Sequence, residues 1–274
     1  MKTLTIGDIH GKWEWKLLTH GSPEKFNEWR TNVEFGRDPL STYHGNLPFM
    51  EFDRIIFVGD YVDAYKSSNI SNVEILHNLN EILFFCKQLG DRVVLLLGNH
   101  DVQYIVENQI CTGYRSEMRP DLQDIFRQNE QRFKIAHEEV SANGMRYLWT
   151  HAGVSKSWLK LLKSQLSSPK HRLHTVFKEV LDGPISELLN MAWEARLPQI
   201  FMIDYESGGT DQVAGPLWIR PRTLNPNGVP GHTQIVGHTA QKDIMIKKVG
   251  LKEKHYFVDI LDEHISGFRL DIEQ

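Results

Sequence analysis

Eight polar side chains in this sequence are of types that could act together on one substrate: Asp8, His10, Asp60, Asp63, Asn99, His100, His151 and His238. They are carboxylates and imidazoles with a single amide. The mixture lacks the thiolates of a structural zinc site and suits divalent first-row metals such as Mn, Fe or Zn. The set is too large for one ion that keeps a coordination position open. It fits a pair of ions about 3.5–4 Å apart, bridged by one carboxylate.

These residues need elements that bring them together, and the flanking sequence supplies a common one. Residues 2–6, 54–58, 92–97, 146–150 and 234–236 are short apolar runs rich in β-formers, each stopped by glycine or histidine. Runs this apolar suit strands covered on both faces. Gly7, Gly59, Gly98 and Gly237 stand just before the polar residues, where glycine lets the chain turn sharply and approach an ion closely. A sixth strand is expected over 255–260, followed by 266–272 as a hairpin partner. Helical spacing covers 69–89, with Ser71 as N-cap and Gly90 as stop. Further helices are expected over 102–108, 119–137, 155–166, 173–181 and 185–196. Strands alternating with helices indicate an α/β fold, whose chemistry sits at strand ends. Residues 12–50, with Trp13, Trp15 and Trp29, and residues 200–233 break the alternation and read as excursions from the core.

Composition narrows the function classes. The chain has 274 residues, a net charge of −4, 41% hydrophobic and 24% charged residues, an ordinary globular balance. With no basic excess to neutralise phosphates, no nucleic-acid partner is expected. No apolar run is long enough to span a membrane, and the opening MKTLTIGDIHG does not read as a signal peptide. Cys86 and Cys111 make no disulfide framework. They are expected to be small core residues or free thiols, in keeping with a cytoplasmic setting. His20, His44, His77, His137, His171, His174, His232, His255 and His264 lack the strand-end context and are expected to pack or face solvent, although His44 and His232 could border the site.

Taken in order, GDIHG (7–11), GDYVD (59–63), GNHD (98–101), THAG (150–153) and VGHT (236–239) resemble the signature of the calcineurin-like metallophosphoesterases, most closely the phosphoprotein-phosphatase branch with its bacterial and phage serine/threonine phosphatases. The resemblance implies a four-layer α/β sandwich, two central β-sheets flanked by helices, as one domain over 1–274 with insertions at about 12–50, 107–145 and 155–233. Helical segments within 107–137 and 155–197 would partly cap the cleft. The resemblance also implies two divalent cations, Mn first with Fe or Zn as alternatives. Asp8 and His10 would hold one, Asn99, His151 and His238 the other, and Asp60 would bridge them. A metal-bound hydroxide would attack phosphorus in line, and His100, oriented by Asp63, would protonate the leaving group. Asp101 would serve the turn or a hydrogen bond behind the ligands.

The sequence departs from that branch in two places. GDxVD is usually followed by Arg-Gly and here by Ala64-Tyr65, which removes a phosphate-binding arginine. GNH is usually followed by Glu and a nearby Arg, and here by Asp101-Val102-Gln103-Tyr104. Arg220, in GPLWIRPR (215–222), is the proposed substitute, with Arg222 second. The last motif lacks the Gly-His-x-His of the phosphodiesterases and nucleases. These features point to a phosphomonoesterase acting on phosphorylated protein or a small phosphoester. The alternatives are a dinucleoside-polyphosphate hydrolase, for which the Trp-rich segment would receive a base, and a binding module that keeps the metals but has lost turnover.

Overall fold

The computed structural model describes residues 1–40, 47–64, 68–106, 110–203, 208–250, 252–261 and 263–274; His44 and Tyr65 lie outside them. Ten strands are found among these residues: β1 (Lys2–Ile6), β2 (Arg54–Phe57), β3 (Val93–Leu96), β4 (Phe133–Lys134), β5 (Ala136–Val140), β6 (Arg146–Thr150), β7 (His232–Val236), β8 (Met245–Lys248), β9 (Lys254–Phe257) and β10 (Phe268–Asp271). They form two five-stranded sheets, ordered β10-β1-β2-β3-β4 and β5-β6-β7-β9-β8. Strands β1 to β4 run parallel, as do β6, β7 and β9, while β10, β5 and β8 are antiparallel edges.

The two-residue alternation of strand side chains explains the layering. Ile56 and Val58 from the first sheet, with Val94 and Leu96, meet Trp149 and Ile235 from the second in one apolar cluster between the sheets. Trp149 also donates its indole N–H to the Thr5 hydroxyl at 3.0 Å, a link between the sheets. The intervening residues Ile55, Phe57 and Leu95 face outward into the larger core, which contains Trp15, Phe26, Ile75 and Phe85. Helix α3 (Asn72–Leu89) covers that side. Its N-terminus is a capping box, in which the Ser71 side chain accepts from the Glu74 amide and Glu74 accepts from the Ser71 amide. Helices α1 (Trp15–His20) and α2 (Pro23–Glu34) lie within the segment read as an excursion. Trp15 and Trp29 are part of the core there, while Trp13 is 46% exposed.

Several sequence expectations are corrected. Residues 119–137 do not form one helix. Helix α5 (Arg119–Gln128) gives way to β4 and β5, where Phe133, Lys134 and Ile135 are buried, exposed and buried in turn, the period of a strand. Helix α4 (Asn99–Ile105) begins at Asn99 itself, three residues before the expected start. Strand β10 is no hairpin partner of β9; it pairs with β1 in the other sheet. Strand β8 was not foreseen, being two lysines and two apolar residues at an exposed edge. His232 starts β7, so the length of that strand separates it from the site end. The remaining helices are α6 (Lys156–Leu166), α7 (His174–Phe177), α8 (Ile185–Glu194) and α9 (Pro221–Asn227). No described helix is long and apolar enough to cross a membrane.

Candidate active site

The loops that leave β1, β2, β3, β6 and β7 carry the eight residues to one place. Two groups of metal-capable side chains form there, Asp8 with His10 and Asp60, and Asp60 with His151 and His238; within each group the ligand atoms lie within 4.8 Å of one another. Asp60 belongs to both. Its Oδ2 stands 3.8 Å from His10 Nε2 and 3.4 Å from His151 Nε2, while its Oδ1 accepts the His100 amide at 2.9 Å.

Local backbone geometry serves this convergence. His10, Asp60, Asp63 and His238 all have positive φ, from 46° to 66°. Non-glycine residues pay for that region, and such conformations concentrate at functional sites. The turn is therefore made on the polar residue itself. Gly98 and Gly237 serve a different need, which is room: a Cβ on Gly98 would lie 2.0 Å from Asp60 Oδ1, and one on Gly237 would lie 2.2 Å from Asp8 Oδ1. Asp101 accepts from the amides of Asp60, Tyr61 and Gly98, each at 2.8 Å, and so ties the second and third loops together.

The donor set fits a metal pair. His10 Nδ1 lies 3.2 Å from the Val62 carbonyl, His151 Nδ1 2.7 Å from that of Val58, and His238 Nε2 3.1 Å from that of Trp218. A carbonyl only accepts, so in each ring that nitrogen carries the proton and the other presents a lone pair toward the cluster, the arrangement seen behind metal-bound histidines. His151 Nε2 and His238 Nδ1 both lie 2.9 Å from Asn99 Oδ1, so three acceptors converge in a way that a cation satisfies. Protonation states agree. Burial lowers His10 to about 4 and pushes His151 and His238 below the ordinary histidine range, with the Arg220 charge contributing to both of the latter. Burial, then Asp259, then Asp60 push Asp8 well up, a carboxyl in want of a cation. Burial opposes charge on Asp60, but the imidazoles of His151, His100, His10 and His238, when protonated, outweigh it and hold its carboxyl low.

His100 stands beside these groups with its ring centroid 5.0 Å from that of His10. Its Nδ1 lies 3.1 Å from Asp63 Oδ2. Burial opposes its charge, but Asp60 and Asp63 outweigh burial and raise it well above the usual histidine value. It is the one imidazole of the four disposed to carry a proton. Arg220, half-buried, immediately precedes α9; its Nε donates to the Gly208 carbonyl at 3.0 Å and its Nη1 to Thr239 Oγ1 at 3.1 Å. That places the guanidinium against the His238 turn.

Some neighbours were not singled out from the sequence. Asp259, just beyond β9, carries a carboxylate that influences Asp8. Cys111 is half-buried with Sγ 3.7 Å from the Asn99 carbonyl, so it borders the site rather than filling the core as Cys86 does. Gln103 and Tyr104 bond Asp63. Their signal was available: they follow His100 by three and four residues and so share its helix face.

The model of the calcineurin-like phosphoesterase family matches residues 1–241. The chain is a calcineurin-like phosphoesterase. It is therefore a phosphoric ester hydrolase, and the sandwich of two mixed sheets is the family's architecture. A comparison with curated proteins returns no significant match. Among solved structures, the cold-active protein-tyrosine phosphatase of a psychrophilic Shewanella species superposes with a TM-score of 0.50 at 17% identity, over 96% of this phosphoesterase and 71% of that chain. The phosphatase domain of the Legionella effector WipB gives 0.42 at 12% identity, over 87% and 100%.

Proposed function

We propose that this phosphoesterase is a phosphomonoesterase that needs two divalent cations, Mn first with Fe or Zn as alternatives. Asp8, His10 and Asp60 would hold one cation, and Asp60, Asn99, His151 and His238 the other. When bound, such a pair neutralises phosphoryl oxygens and makes water nucleophilic at neutral pH. The protein's own part is positioning and proton transfer. Arg220 would bind a phosphoryl oxygen, a role supported by its place against the His238 turn. His100, held by Asp63, would give its Nε2 proton to the departing oxygen. The observation that carries this reading is the juxtaposition of one proton-bearing imidazole with two cation-ready groups sharing one carboxylate.

We favour phosphorylated protein, at serine, threonine or tyrosine, or a small phosphomonoester as substrate. The last motif, Gly237-His238-Thr239-Ala240, lacks the second histidine of phosphodiesterases. The dinucleoside-polyphosphate reading has lost most of its support, since Trp15 and Trp29 are core residues. Only Trp13 of the three reaches the cleft of about 550 Å³ that adjoins Gly11 and is also lined by Lys12, His77 and Asn78. Free Cys86 and Cys111 accord with a reducing, cytoplasmic setting. Turnover of phosphopeptides against diadenosine tetraphosphate, with Mn present, separates the readings. Preference for the phosphopeptide is expected; preference for the dinucleotide overturns the substrate assignment.

A further inference from the structure

Asp63 is a nearly inaccessible carboxylate that receives three side-chain donors. All three come from one face of α4: His100 Nδ1 and Gln103 Nε2 on Oδ2, and the Tyr104 hydroxyl on Oδ1. The spacing i, i+3, i+4 is what places them side by side.

The direction of these hydrogen bonds is fixed from outside the helix. Gln103 Oε1 accepts the Cys111 amide at 2.9 Å. The amide group of Gln103 must then turn its NH₂ toward Asp63. The Tyr104 oxygen accepts the Arg115 amide at 2.9 Å, which leaves the phenolic hydrogen for Asp63. Backbone N–H groups cannot reverse, so both chains run one way, from the 111–115 segment into the carboxylate. Asp63 is left as an acceptor throughout, and its remaining donor is His100 Nδ1–H. The same segment is tied down by Arg115, whose guanidinium donates to the Ala64 carbonyl at 2.8 Å and to Asn72 Oδ1 at 2.6 Å. The backbone next to Asp63 is thereby held as well.

We infer that Gln103 and Tyr104 are positioning residues: with the 111–115 segment they hold Asp63 as an oriented, acceptor-only carboxylate, which keeps Nδ1–H of His100 on Asp63 and holds the ring in the rotamer that turns Nε2, with the second proton of the imidazolium, toward the leaving oxygen. This rests on the assignment of His100 as the acid. Neither residue touches the reacting atoms; each acts through Asp63. A misaligned acid harms only those substrates whose leaving group needs the proton. An ester of 4-nitrophenol departs readily as the anion, whereas phenol, with a pKa of about 10 by analogy with tyrosine, leans on the acid.

The test is the hydrolysis of 4-nitrophenyl phosphate and phenyl phosphate by wild type, Tyr104→Phe and Gln103→Met, each with Mn bound to the same stoichiometry. Tyr104→Phe removes one oxygen, and Gln103→Met keeps the side-chain length without the donor, so a folding failure of one leaves the other. The expected result is a loss of kcat on phenyl phosphate on the order of tenfold greater than that on 4-nitrophenyl phosphate, a fraction of what general acid catalysis supplies. Equal losses on the two esters, which a merely structural role would give, or no loss on either, overturn the inference while leaving the proposed function standing. A wild type that hydrolyses neither ester with Mn, Fe or Zn overturns the proposed function itself, and this inference with it.

Discussion

Asp60 Oδ2 and His151 Nε2 stand 3.4 Å apart with no hydrogen between them, because the single proton of a neutral His151 is directed at the Val58 carbonyl from Nδ1. Both atoms are buried. Two lone pairs facing each other in a low-dielectric interior repel, and the contact becomes favourable once a cation takes both.

Replacement of Asp60 by Asn keeps the size of the side chain and removes the shared charge. Metal affinity should fall by more than the roughly 10–100-fold that follows from losing a hydrogen-bonding partner behind a ligand, and turnover should fall with it. Metal content after dialysis and kcat at saturating Mn check this; a variant that retains its metal and activity contradicts the shared-ligand assignment.

Close approach is a second point of leverage. A methyl group on Gly237 would lie 2.2 Å from Asp8 Oδ1 and 2.7 Å from Val58 Cγ2. Gly237→Ala should cost about 1–3 kcal/mol, the usual penalty of overpacking, and should also displace Asp8. Thermal unfolding and metal content should both decline; unchanged values would mean that the β7 turn yields at no cost.

The pH dependence of turnover follows from His100. With its protonated form as the proposed acid, activity should be retained below its pKa and lost as pH rises through it. Asp60 and Asp63 both raise that pKa against the effect of burial. Asp63→Asn should therefore move the alkaline limb of the kcat profile on phenyl phosphate to lower pH, with kcat reduced on the order of 10²–10⁴-fold. A limb that stays in place, or moves upward, contradicts the Asp63–His100 pairing.

The fold's own pH sensitivity has a separate source. His20 is fully buried among Phe26, Trp29, Phe49 and Phe85. Burial first, then Lys16, lower its pKa to about 3. The unfolded chain binds a proton at His20 near pH 6.5 and the folded chain does not until about pH 3, so stability drains as pH falls through that window. Between pH 7 and pH 5 this amounts to about 2 kcal/mol. His20→Phe should flatten the pH dependence of denaturant unfolding by about that amount, and an unaltered slope would show that His20 charges freely in the native state.

How much of this could be read from the chain depended on how local the cause was. The metal-capable residues were legible because each sits one to four positions beyond an apolar strand, and the strand positions fix where they go. Strands β4 and β5 were hidden because Phe133, Ala136 and Val140 also continue the helical spacing of Leu122, Ile125 and Phe126. The pairing of β10 with β1 was invisible because it joins positions nearly the whole chain apart. Gly98 and Gly237 were read as letting the chain turn and approach an ion closely; the space a Cβ would fill is instead occupied by the carboxylates of Asp60 and Asp8, which only the assembled loops reveal. Gln103 and Tyr104 shared the His100 helix face in plain sight. Their purpose depends on two amides from residues 111 and 115, and no spacing rule announces those.

The proposed centre requires two cations in one site with Asp60 between them. Titration of the metal-free protein with Mn, followed by electron paramagnetic resonance and by hydrolysis of 4-nitrophenyl phosphate, reads this in one sample. The expected result is two equivalents bound, an exchange-coupled pair signal that Asp60→Asn abolishes, and activity that rises with that signal. A single uncoupled Mn, with activity complete at one equivalent or absent altogether, would contradict it.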